Sequence, residues 1–231
     1  MAQRAPLSVS PYFSPSTLRF LRDLAANNDR AWFAANRARY EETVKDPALR
    51  LIADFAHELA RLSPHFMATP RSLFRIHHDT RFAKDKRPYK THIGIHFRHD
   101  RSKDAHAPGY YFHIEPRSVF AGVGIWHPDA GALRRIRERI VEEPTGWRRA
   151  SRAKGFLGTF AMEGDRLSRP PKGFDRDHAL AEDLKWKDYI GVADLDDAFV
   201  ARADLTKQLA KTFKAGTPFM RFLCEALDVP F

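Results

Sequence analysis

Between Arg71 and Lys90 the chain reads RSLFRIHHDTRFAKDKRPYK, with seven lysines or arginines, two aspartates and two histidines. These residue types are suited to holding an anion. Arginine presents a planar fork of donors that matches phosphate or carboxylate, and lysine adds compact point charges. Arg75, Arg81, Lys84, Lys86 and Lys90 are the expected ligand contacts, with Asp79 and Asp85 orienting the cations and Tyr89 beside them. Phe82 and Tyr89 fit better as anchors of the segment than as stacking surfaces, because aromatics are mostly spent on packing. Should the site be catalytic, His77, Asp79 and His113 are the proton-transfer candidates, since histidine titrates near neutral pH. The plainer alternative is a solubilising hairpin tip with an ion pair between Arg81 and Asp85.

Placing those groups requires strands on either side of them. Leu73 to Asp79 alternates, with Phe74, Ile76 and His78 opposite Leu73, Arg75, His77 and Asp79. Alternation resumes after Pro88, with Thr91, Ile93, Ile95 and Phe97 opposite His92, Gly94, His96 and Arg98. That period predicts strand, long basic loop, strand. Tyr110–Glu115 and Val119–Trp126 read as two more strands, and short connections favour antiparallel neighbours. One sheet face would then collect Arg75, His77, Asp79, His92, His96, Arg98, Tyr111, His113 and Glu115. Gly94, Gly122 and Gly124 fall on that face and should leave it shallow, letting a ligand approach. The expectation is a concave groove lined by His and Arg and rimmed by the 80–90 loop. An ordinary solvated sheet face is the alternative.

Helices surround the strands. Ser14-Pro15 opens one, Asp29 caps a second running to about Lys45, and Asp46-Pro47 starts a third that Ser63-Pro64 ends. After the sheet, helices are expected from Asp129 to Val141 and from Pro144 to Ala153. A hairpin turning at Glu163-Gly164-Asp165 should follow, then a short helix capped by Asp177. A strand over Lys187–Val192 and closing helices over Asp194–Lys214 and Pro218–Leu227 complete the chain. The fold class predicted is α+β, a single domain over 12–231 with a central antiparallel sheet of four or more strands, packed by N-terminal and C-terminal helices. Residues 1–11 read as disordered.

Other chemistry finds little support. His92 and His96 would lie about 13 Å apart on a strand, too far to share an ion. His77 with Asp79, plus His113 or Glu115, could converge, but no ligand motif of fixed spacing appears and no metal site is expected. Gly122-Val123-Gly124 lacks the third glycine of a dinucleotide fingerprint, and no cofactor is indicated. No phosphate loop or nucleophile elbow is present.

Composition sets the outer bounds. With 231 residues, 43% of them hydrophobic and 18 Phe, the chain has material for a sizeable core without metals or disulfides. The one cysteine, Cys224, excludes an internal disulfide and suits a reducing compartment. No leader pattern or apolar run of membrane-spanning length appears, so a soluble cytoplasmic protein without membrane partners is expected. The formal charge is +10, and two segments carry it. Arg71–Lys90 has seven basic and two acidic residues, and Gly131–Lys154 has eight and three, so each is net +5. Localised positive charge concentrates anions without identifying them.

Phe74-Arg75-Ile76 followed by Asp79-Thr80-Arg81-Phe82-Ala83-Lys84-Asp85-Lys86-Arg87-Pro88-Tyr89-Lys90 resembles the signature of the domain of unknown function 2461 family. Gly109-Tyr110-Tyr111, the Gly122 and Gly124 pair before Trp126, and Arg169-Pro170-Pro171-Lys172-Gly173-Phe174-Asp175 ahead of Leu184-Lys185 extend the resemblance from about Phe13 to Leu227. The family usually has Arg where His78 stands and Ser where Ala83 stands, which argues against an essential charge or hydroxyl there. The resemblance implies a single-domain cytoplasmic protein and brings no activity, cofactor or catalytic residue. The residues themselves point to an anionic, plausibly phosphorylated, small-molecule ligand, with hydrolase or transferase chemistry open. The alternative is a nucleic-acid-binding module using segments 71–90 and 131–154, whose affinity would fall steeply with salt.

Overall fold

Alternation along three consecutive segments builds the centre of the molecule. In the computed structural model, which describes residues 10, 12–79, 86–101 and 108–231, these are β2 (Ile93–His99), β3 (Gly109–Glu115) and β4 (Ser118–Ile125). β1 (Phe66–Met67), β5 (Ala161–Glu163) and β6 (Tyr189–Leu195) complete an antiparallel sheet in the order β1-β2-β3-β4-β6-β5. Register sets Ile95 against Phe112, Phe112 against Ala121 and Ala121 against Ala193. Ile93, Ile95, Phe97, Tyr110, Phe112, Ile114, Val119 and Val123 therefore share one face, and all are buried.

Helices cover that face. They are α1 (Pro15–Ala26), α2 (Arg30–Ala35), α3 (Arg37–Tyr40), α4 (Asp46–Leu62), α5 (Ala130–Glu142), α6 (Pro144–Ser151), α7 (Lys154–Leu157), α8 (Asp197–Val200), α9 (Leu205–Ala215) and α10 (Thr217–Ala226). Phe55 of α4 and Phe213 of α9 meet Phe97 with ring centroids 5.0 and 6.3 Å away. Trp147 of α6 is wholly buried against Tyr189, Phe219 and Phe222. Cys224 is buried in α10, and burial pushes its thiol up to about 12, so it is no nucleophile at neutral pH. Among the described residues no helix is long and apolar enough to cross a membrane.

Several elements differ from the sequence expectation. Asp46-Pro47 starts α4 as expected, but without a break before it: a π-helical turn over Glu41–Lys45 runs straight into α4. Pro47 has no N–H for the carbonyl of Thr43, four residues back, and the buried Thr17 hydroxyl donates to that carbonyl instead (2.7 Å). Residues 73–79 are not a sheet strand. They touch β2 through a single bridge, Leu73 with Ile95, and the bond from Phe74 N–H to the Gly94 carbonyl, then turn away. The hairpin expected at 156–169 is replaced by α7 and by β5, which pairs with β6. β6 runs through Leu195, so the helix expected from Asp194 is two, α8 and α9. Asp177 opens turns rather than a helix. Of the N-terminal segment expected to be disordered, residues 1–9 and 11 lie outside the described residues. Ser10 is buried, its N–H bonded to the Ala201 carbonyl.

Candidate functional site

The basic segment is anchored at its base by a short ladder. Lys90 N–H donates to the Ile76 carbonyl and His78 N–H to the Pro88 carbonyl (2.8 Å each), with a bridge between His77 and Tyr89. Asn28 clamps it from the helical layer: its side-chain amide donates to the Tyr89 carbonyl (2.8 Å) and its oxygen accepts from Tyr89 N–H (3.0 Å). The Tyr89 ring is buried and stacks on Phe33 at 4.1 Å. Tyr89 thus serves as an anchor. Nothing in the sequence marks Asn28 for that role.

Among the described residues, the candidates do not meet over one floor. Arg81, Lys84 and Asp85 lie outside the described residues. Arg75, His77, Asp79 and Lys86 are exposed. Lys90 is half-buried with its ammonium 5.2 Å from the centre of the Phe74 ring, and burial, then the like charge of Arg75, lower its pKa. Arg75, His77 and Tyr89 instead line a cleft of about 690 Å³ between residues 70–77 and the N-terminal helices. Its far side brings Arg30, Arg37 and Lys45, with Glu41 between them, 2.6 Å from Lys45 and 3.9 Å from Arg37. Phe33, Tyr40 and Phe74 form its apolar walls.

The other sheet face carries His92, His96, Arg98, Tyr111, His113 and Glu115 as expected, without Arg75, His77 and Asp79, because their segment never joins the sheet. Its glycines do not leave a hollow. A Cβ at Gly94 would meet the Tyr111 hydroxyl at 2.7 Å and the Phe74 ring at 3.0 Å. These rings lie across the space that a ligand was expected to use. Beyond them, His113 is stacked between His92 and Phe120, both at 4.5 Å. Its Nδ1 is 3.1 Å from the Tyr111 hydroxyl and its Nε2 is 3.6 Å from Glu115 Oε2. Thr91 Oγ1 donates to Glu115 Oε1 at 2.6 Å. Burial holds the imidazole of His92 down to about 4, with His113 adding to the effect, and burial lowers His113 against the opposing pull of Glu115. Both rings are neutral at pH 7.

Two trios of metal-ligating type converge among the described residues, His92-His113-Glu115 and His65-His99-Asp100. His77 and Asp79 belong to neither. The sequence considered His113 and Glu115 but gave them the wrong partners.

The second basic segment is largely engaged within the fold. Arg134 pairs with Glu138 (2.7 Å), Arg139 with Glu143 (3.1 Å) and Arg152 with Asp183 (3.0 Å). Arg137 is buried and donates to the Trp186 carbonyl.

The sequence model of one family, described as conserved hypothetical protein (DUF2461), matches residues 16–222. No curated protein and no solved structure matches the chain.

Proposed function

The chain belongs to that family of conserved hypothetical proteins, and from that premise we propose that it binds an anionic, phosphorylated small molecule in the cleft between the N-terminal helices and residues 70–77. One observation carries the reading. Among the described residues, four cationic side chains, Arg30, Arg37, Lys45 and Arg75, line a cleft that holds a single carboxylate, Glu41. Apolar walls with a few placed charges are what a small-molecule site requires. The aromatic walls suit a ligand with a flat apolar part, and the arginines suit its phosphate or carboxylate. His77, on the cleft wall, is the proton-transfer candidate beside a bound anion; His113 stands apart, on the sheet. The nucleic-acid alternative is weaker at its second patch, because, among the described residues, five of the seven arginines in 131–154 bond to carboxylates or carbonyls, leaving Arg148 and Arg149 as its exposed arginines outside such bonds.

Calorimetry with nucleotides and phosphorylated metabolites at low ionic strength tests this. A charge-assisted hydrogen bond is worth about 1.5–3 kcal/mol, so Arg75→Ala and Arg37→Ala should each weaken binding by about 10-fold or more. Affinity should also fall as salt rises through about 0.1 M, where the screening length is about 10 Å. A ligand held equally well by both variants would remove the cleft from consideration.

A further inference from the structure

On the sheet face away from the helices, His92, His113 and Glu115 bring one ligand atom each within 4.8 Å of one another. We infer that these three residues form a binding site for a divalent transition-metal ion, zinc by preference. Two imidazole nitrogens and one carboxylate oxygen are a donor set that borderline-soft cations take at about 2.0–2.2 Å, with further positions left to water or a ligand.

The surrounding contacts are those such a site needs. Phe120 holds the His113 ring on one face, and the His92 ring stacks on the other before any turn. With its Nδ1–H donating to the Tyr111 oxygen, its Nε2 lone pair faces Glu115. The Thr91 hydroxyl holds Glu115 Oε1, and this turns Oε2 toward His113. Outer hydrogen bonds of this kind set the tautomer and orientation of metal ligands. A lone pair lies in the plane of its ring, so the stacked His92 ring must turn toward Glu115 to complete the set. His92 is half-buried and precedes β2, off the regular ladder, where such a turn does not disturb the strand pairing.

The other trio is less suited. His99 Nε2–H donates to the Pro230 carbonyl, and its Nδ1 already accepts the Arg101 N–H (3.1 Å). No lone pair of that ring is left for an ion.

The inference does not rest on the cleft proposal. Protein without a histidine tag, stripped with chelator and titrated with zinc chloride in a calorimeter, should take up one equivalent. His92→Ala and Glu115→Gln should each weaken uptake by at least about 10-fold, the scale that even supporting residues of a metal site reach. His65→Ala and Arg75→Ala should bind zinc as the parent does. Melting curves of the metal-free variants establish that they fold; Glu115→Gln keeps the side chain's shape and its bond from Thr91. Failure to bind zinc, parent-like binding by His92→Ala and Glu115→Gln, or a loss confined to His65→Ala would each overturn the inference. Loss of anion binding in Arg75→Ala with zinc uptake intact would leave it standing.

Discussion

Replacing Gly124 with alanine is expected to destabilise the protein by about 4 kcal/mol or more, the range reserved for severe backbone clashes. At roughly 2–4 °C per kcal/mol for a chain of this size, the melting temperature should fall by about 8–16 °C. Two independent facts lead there. Gly124 has φ +123°, a conformation that side chains rarely adopt. A Cβ on it would also lie 2.0 Å from the Tyr189 carbonyl oxygen and 3.0 Å from the Ile190 Cα, both backbone atoms of β6. Neither can move unless β4 and β6 separate where Gly124 pairs with Ile190 and Ile125 with Tyr189. Tyr189 is fully buried against Trp147, so separation would open the core. Gly122 is the control, two residues away on the same face. A Cβ there would meet only the Tyr111 side chain, at 3.6 Å, an ordinary contact. Gly122→Ala should therefore change stability by no more than about 1 kcal/mol, and in the stabilising direction if the lost chain entropy of glycine dominates. Urea unfolding of the pair decides the matter. Equal costs for the two substitutions would mean that the β4–β6 pairing is not as described.

The contrast between those glycines also shows what a sequence can and cannot convey. The faces of β2, β3 and β4 were legible because side-chain alternation is local: one residue out of step would turn Ile95 or Val123 outward. Three glycines on one face were legible too, but their purpose was not. Gly94 admits Phe74 and Tyr111 and Gly124 admits β6, facts of distant packing. Residues 73–79 alternate as a strand would, yet Pro88 has no N–H to give and the segment leaves β2 after Phe74, so the pattern ends in isolated bridges. That departure split the candidate site. Arg75 and His77 went to a cleft whose other cations, Arg30, Arg37 and Lys45, lie some forty residues earlier on helices and carry no local signal. His113 and Glu115 share a face by the two-residue period of β3. The arrival of His92 beside them depends on how the chain enters β2. Thr43 and Thr17 make the same point: Pro47 starts α4 without a break from the turn before it because the Thr17 hydroxyl, 26 positions from Thr43, replaces the donor that Pro47 lacks.

Acidification should weaken the fold through His96 well before the carboxylates titrate. This histidine is 8% exposed, and burial, with Arg98 adding like charge, holds its pKa down to about 4 from 6.5. The ring is enclosed by Phe74 and Tyr111, Arg98 Nε lies 3.4 Å from its Nδ1, and its Nε2 occupies the place that a side chain on Gly109 would take. Those surroundings accept a neutral imidazole and oppose a charged one. The sign follows. Between about pH 6.5 and pH 4 the unfolded chain binds a proton at this position and the folded chain does not, so stability rises with pH across that window and is lost as pH falls. From pH 7.5 down to pH 5 the loss from His96 alone should be about 2 kcal/mol, approaching about 3 kcal/mol at pH 4. His92 and His113 are lowered in the same direction and add to the slope, so the diagnostic quantity is a difference. His96→Asn removes the titration while keeping a polar side chain of similar reach. Urea unfolding at a series of pH values should show the parent losing more stability than His96→Asn on acidification, the gap opening by about 2 kcal/mol at pH 5. A gap that stays constant from pH 7.5 to pH 5 would mean that the ring is protonated within the fold, and that the face formed by Phe74, Tyr111 and Arg98 is open to water rather than closed over it.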